Sequence, residues 1–134
     1  MNFDELNHKC VAINTKSIKI DYLKQEICIH ATPNYGNDDS LKDMEFTLIF
    51  PNCISMNYLS ISNMLATEHH EFISWIRVKI NLEDEFEPDV AEAVRMKYPD
   101  TFDFYKYGFM NAFQDSLDFI AGDCILTSKV RSIG

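Results

Sequence analysis

The sequence predicts an α+β domain: an antiparallel meander sheet of about five strands followed by two C-terminal helices packed on one face. Three observations carry this expectation. Between Cys10 and Leu82 apolar residues, many of them β-branched, alternate with polar ones, as half-buried strands require. After Pro88 the apolar spacing changes to three and four, the period of a helix with one buried stripe. Strands first and helices after is the order expected when helices lie on a sheet.

Taken in order, residues 2–7 leave room for one helical turn. Val11 and Ile13, then Ile18, Ile20 and Tyr22, mark the first strand, and Ile27 and Ile29 the second, with a hairpin at residues 23–25. Pro, Gly, Asn, Asp and Ser make residues 32–42 a loop. Met44, Phe46, Leu48 and Phe50 form the next strand. Pro51-Asn52 breaks it, and Ile54, Met56 and Tyr58 follow as a neighbouring antiparallel strand, because so short a link does not reach a parallel position. Residues 63–71 are ambiguous; Thr67 is a candidate helix cap, but His70 stands where a capping box wants Glu or Gln. Ile76, Val78, Ile80 and Leu82 alternate with Arg77, Lys79 and Asn81, which predicts a strand with a basic outward face.

The first helix is expected from Pro88, a residue suited to the opening turn, to Pro99, which ends it. Asp89 and Glu92 near its start, and Arg95 and Lys97 near its end, complement the helix dipole. The second is expected from Asp100 or Thr101 to Gly122, with Phe102, Tyr105, Phe109, Phe113, Leu117 and Ile120 as its buried stripe. Gly108 inside it calls for a close packing partner or a break. Residues 124–130 are a candidate last strand, and residues 128–134 are expected to fray.

A chain of 134 residues has the length of a single domain, 1–134, and such a domain needs no metal or disulfide to fold. Cys10, Cys28, Cys53 and Cys124 are widely spaced and lack a CxxC pair. Residues 1–9 have neither the basic nor the apolar region of a signal peptide. The expectation is therefore a cytoplasmic protein with reduced, buried thiols. The apolar runs are too short to span a bilayer.

Charge is the strongest signal. Residues 82–123 hold eleven acids and three bases, a local −8 of the net −9, and the pI is near 4.7. Such a chain lacks the Lys and Arg that neutralise phosphates, which argues against nucleic acid and anionic membranes as partners. It suits a basic protein surface instead. Tyr98, Tyr105 and Tyr107, interleaved with Asp100 and Asp103, would add stacking area for Arg and Lys.

Catalytic signals are sparse. His69-His70, flanked by Glu68 and Glu71, is the first place to look for a metal or a base, but the HExxH spacing is absent. There is no G-x-S-x-G, and four glycines supply no phosphate-cradling loop. Acid pairs such as Asp84/Glu87 and Asp115/Asp118 have the spacing of solvated helix carboxylates. The sequence predicts no enzyme, no catalytic, cofactor-binding or metal residues, and no cofactor.

In size, acidity, an Asn/Ile/Lys-leaning composition and the clustered acids of residues 83–103, the chain resembles the small immunity proteins of bacterial toxin–immunity pairs, such as those of contact-dependent growth inhibition. The resemblance spans the whole chain in character and rests on no residue motif. It implies a cytoplasmic inhibitor that binds a cognate protein toxin with a basic surface, commonly a nuclease. The expected contacts are Glu83, Asp84, Glu85, Glu87, Asp89, Asp100, Asp103 and Tyr105. Two other readings stay open: an acidic nucleic-acid mimic that binds a host or phage enzyme, and a small enzyme using His69 or His70.

Overall fold

The computed structural model describes residues 1–36, 39–59 and 70–131. Its elements run α1 (Phe3–Lys9), β1 (Cys10–Asp21), β2 (Glu26–Gly36), a 3-10 turn (Asp39–Leu41), β3 (Met44–Phe50), β4 (Ser55–Leu59) and β5 (His70–Lys79). Then follow α2 (Leu82–Glu85), α3 (Pro88–Lys97), β6 (Tyr105–Asn111), β7 (Ser116–Ala121) and β8 (Ile125–Val130). The strands form one antiparallel sheet in the order β4-β7-β6-β5-β1-β2-β3-β8. Among the described residues, eight strands with three short helices replace the expected five strands with two C-terminal helices.

The largest correction falls on residues 100–122, which form the β6–β7 hairpin rather than a helix. Tyr107, Phe109 and Asn111 of β6, and Leu117, Phe119 and Ala121 of β7, point to one face, and all are buried. This period-two set overlaps the helical stripe, and tertiary burial decides between them. Asn111 makes the turn: its Oδ1 accepts from the N–H groups of Phe113 and Asp115, both at 3.0 Å, while Gln114 takes a positive φ of 66°. Phe113, assigned to the buried stripe, is 70% exposed in that turn. Gly108 does have its close partner: a Cβ there would lie 3.0 Å from Asp118 Oδ1.

The sheet folds over on itself. Phe50 on β3 packs against Tyr107 on β6 at 4.7 Å and Phe119 on β7 at 4.8 Å, although those strands lie far apart in the sheet order. The fold line is the short β1–β5 ladder, paired from Ile13–Phe72 to Thr15–His70. Beyond it, α1 covers the edge of β5: Asn7 Nδ2 donates to the Trp75 carbonyl at 2.8 Å, and Arg77 reaches Asp4 at 3.1 Å. Asn2 caps this helix through the Glu5 N–H at 2.9 Å. Phe3 then stands in the interior, with ring centroids 5.1 Å from Trp75 and 5.4 Å from Tyr107.

Two bulges set the faces. A register shift between Thr15 and Ser17 lets Ile13 and Ile18, of opposite parity, share the inner face. A second, between Phe72 and Ser74, puts Trp75 and Arg77 inside and leaves Ile76 and Val78 each 54% exposed. The predicted basic outward face of β5 is therefore inverted.

β3 and β4 are not neighbours; residues 51–54 carry the chain between opposite ends of the sheet order. That link is held where Gly122 N donates to the Pro51 carbonyl at 2.8 Å and Cys53 N to the Gln25 carbonyl at 2.7 Å. Gly122 is no helix cap. A Cβ there would meet Phe102 at 3.0 Å and the Pro51 carbonyl at 3.2 Å. Residues 32–36 extend β2 by pairing with β1, and Ser128–Val130 pair with β3 instead of fraying. The Thr67 cap falls outside the described residues.

Phe3→Ala is expected to cost about 3–5 kcal/mol, because four aromatic neighbours lose their common partner. Phe113→Ala should change stability by less than about 0.5 kcal/mol. Urea unfolding of both variants distinguishes the hairpin from a helix with Phe113 in its core, which would reverse the prediction for the second.

Candidate functional site

Lys79 and Tyr105 are paired neighbours in the β5–β6 ladder, yet residues 80–104 separate them in sequence. A hairpin between such strands needs only about two to five residues. The excursion holds eight acids and two bases, −6 of the net −9. The sheet does not need it, and of its side chains only Ala91 and Phe104 are buried.

Its shape follows from local rules. Phe86 N–H closes α2 on the Leu82 carbonyl at 3.0 Å. Pro88 stands in the first turn of α3 and Asp89 beside it, close to the orphan N–H groups. Tyr98, Phe102 and Phe104 then cluster at ring separations of 4.9–5.2 Å, and Phe102 lies against Gly122. Ile80 N–H donates to the Phe104 carbonyl at 3.1 Å, closing the neck, while Lys97 donates to Gln25 Oε1 at 2.7 Å.

The expected contact residues divide into four groups. Glu83 pairs with Arg95, Glu85 with Lys106 at 3.5 Å, and Asp103 with Lys79 at 3.4 Å. All three pairs are exposed, so each holds little free energy and leaves its acid open to competition. Asn81 Nδ2 lies 3.5 Å from Asp84 Oδ2. Glu87, Asp89 and Asp100 are exposed, and among the described residues no base lies within ion-pair distance of them. Tyr105 is half-buried, and the Arg77 guanidinium lies 4.3 Å over its ring.

The acids do not form one flat face. Lys79 and Lys106 sit on opposite sides of the sheet, so their partners Asp103 and Glu85 do too. The charge wraps around one end of the β5–β6 ladder. Other acids of the charged stretch have structural roles. Asp115 is 0% exposed and accepts from Asn111 Nδ2 at 3.0 Å, whereas Asp118 lies on the outer face. Asp123 binds Arg77, whose charge is opposed by burial but held by Asp123 and Asp4, with the net effect of raising its pKa. Tyr107, expected as a surface contact, is fully buried.

Sequence reasoning missed a pocket of about 190 Å³ between α2 and the outer face of the sheet. Glu85, Lys106, Asp118, Asn57 and Ser55 line it with polar groups, and Phe86 and Ile120 are apolar walls. Pairing between β4, β7 and β6 builds it, and alternation alone does not reveal which strands meet.

His69 and Glu68 lie outside the described residues; His70 opens β5 opposite Thr15. Among the described residues no three His, Cys, Asp or Glu side chains converge as a metal site. Cys10 is buried; Cys28, Cys53 and Cys124, also expected in the core, are half-buried. Burial is the main cause raising the thiol pKa of Cys28, Cys53 and Cys124, which keeps them protonated rather than nucleophilic. Among the described residues, no helix is long and apolar enough to cross a membrane. Comparisons with family models, curated proteins and solved structures returned no match to this chain.

The Tyr107 hydroxyl donates to the Gly122 carbonyl and accepts from Cys124 N–H, both at 2.9 Å. Burial, then Cys124, raises the phenol's pKa; burial, then Asp123, pushes the Cys124 thiol up to about 12. Folded Cys124 thus keeps its proton above 9.0, its ordinary value, so the stability linked to the protonated thiol is complete below pH 9.0 and lost as pH rises towards 12. Thermal unfolding followed from about pH 8 to 11 should show Tm falling above about pH 9, and Cys124→Ala should flatten the fall.

Proposed function

We propose that this chain is a non-enzymatic inhibitor of the immunity type, which binds a basic protein toxin in the cytoplasm and covers its cationic surface. The observation that carries this reading is the excursion of residues 80–104. It concentrates two-thirds of the net charge on a segment that contributes little to the core. Long insertions between adjacent strands are retained for binding more often than for folding.

Glu87, Asp89 and Asp100 provide the unpaired charge, and they draw the partner in by long-range attraction. Glu83, Glu85 and Asp103 exchange Arg95, Lys106 and Lys79 for partner cations, a replacement made easy by their weak, exposed pairs. The pocket beside Glu85 and Asp118 has the apolar walls and carboxylates that a partner Arg or Lys side chain requires. A nucleic-acid mimic would instead need carboxylates spaced like phosphates along one elongated face. The division of Glu85 and Asp103 between two sides of the sheet favours a protein surface that wraps an end of the domain.

The test is copurification of the intact chain with the product of the neighbouring gene, followed by stopped-flow association. Neutralising Glu87, Asp89 and Asp100 together, as Gln, Asn and Asn, should slow association about tenfold at low salt and reduce its salt dependence. Unchanged association kinetics would remove these acids from the interface. Turnover of a small substrate by the isolated chain, with no complex formed, would overturn the inhibitor reading.

A further inference from the structure

A separate constellation lies on the outer face of the other half of the sheet. Cys28 and His30 are two residues apart on β2, so both side chains leave the strand on the same side. Cys28 Sγ is 3.7 Å from His30 Nε2, and the other ring nitrogen, Nδ1, is 3.1 Å from the hydroxyl of Thr47 on β3. The pairing of His30 with Thr47 in the β2–β3 ladder puts that hydroxyl in place. Both donors are half-buried, flanked by Lys19 of β1 and Ile49 of β3, the residues paired with Cys28.

We propose that Cys28 and His30 form a two-donor chelate for a soft d10 cation, Cu(I), oriented by Thr47. Thiolate sulfur is among the donors that select Cu(I), and imidazole suits copper as well. Bond lengths of about 2.3 Å to sulfur and about 2.0 Å to nitrogen, the values for zinc, span 3.7 Å at an S–metal–N angle of roughly 120°. That angle is trigonal, so the two side chains span the ion as they stand and a small ligand from solvent completes its third position. Thr47 fixes the ring from outside the metal's own contacts, the role a hydroxyl or carbonyl takes on metal-bound histidines. On binding, the S–H bond breaks, its proton goes to solvent, and sulfur and Nε2 each donate a lone pair; no electron changes hands. The site is independent of the acidic excursion and stands or falls apart from it.

Anaerobic titration of the intact chain with Cu(I), against a chromophoric Cu(I) chelator, tests this. One equivalent should bind, and His30 Nε2 should shift in nitrogen NMR. Cys28→Ser should abolish that equivalent, while Cys53→Ser and Cys124→Ser keep it. His30→Gln and Thr47→Val should each weaken it by about tenfold or more. All are to be read on variants with an unchanged Tm, which an outer-face position permits. Full binding by Cys28→Ser, unchanged affinity in His30→Gln, or tighter binding of Zn(II) than of Cu(I) would each overturn the assignment.

Discussion

A single sheet with one apolar face must bury that face, and here it does so by closing around the ring of Phe3. That residue contacts Phe50 from one half of the sheet and Trp75, Tyr107 and Phe109 from the other. Its helix also occupies the edge of β5 that β1 leaves unpaired. One short element thus supplies both the centre of the core and the cover for the fold line. The edge-to-face arrangement of these rings adds directional preference to simple burial, which helps fix how far the two halves turn towards each other.

Because the halves are locked from inside, the ends of the ladders are free to carry decoration. Residues 80–104 leave and re-enter the sheet at directly paired positions, so their charge imposes no strain on strand register. The aromatic trio of Tyr98, Phe102 and Phe104 fastens the return to the links at Pro51 and Gly122. Like charges crowded onto one excursion repel each other, and the pairs to Arg95, Lys106 and Lys79 relieve part of that repulsion at small cost to the exposed potential.

Much of this was legible in the sequence where a signal was local. Alternation located β1 and β3 and the first half of β2, and Pro88 and Pro99 bracketed α3 to within a residue or two. The charged excursion was visible as composition, although the stretch drawn around it also took in Asp115, Asp118 and Asp123, which structure ties to Asn111, the outer sheet face and Arg77. What failed was non-local. Tyr105, Phe109 and Leu117 fit a period of three and four as well as a period of two, and no Gly marked the turn that Asn111 and Gln114 make. The β1 and β5 bulges shift parity by one residue, so they reverse which side chains face inward while leaving the alternation intact. The strand order places β3 and β4 at remote positions, although the chain links them through residues 51–54.

The position of β8 has a consequence for synthesis. Its six residues pair with β3, whose other neighbour β2 is already in place from the first third of the chain. On a ribosome, the meander from β1 to β3 emerges with two open edges, β1 awaiting β5 and β3 awaiting β8. The β3 edge waits for residues 125–130, translated about 75 residues after β3 ends. Throughout that interval the nascent chain presents an unpaired ladder beside Phe46, Leu48 and Phe50, a template for unwanted pairing with other chains. Strand β8 thus seals the hazard when it arrives.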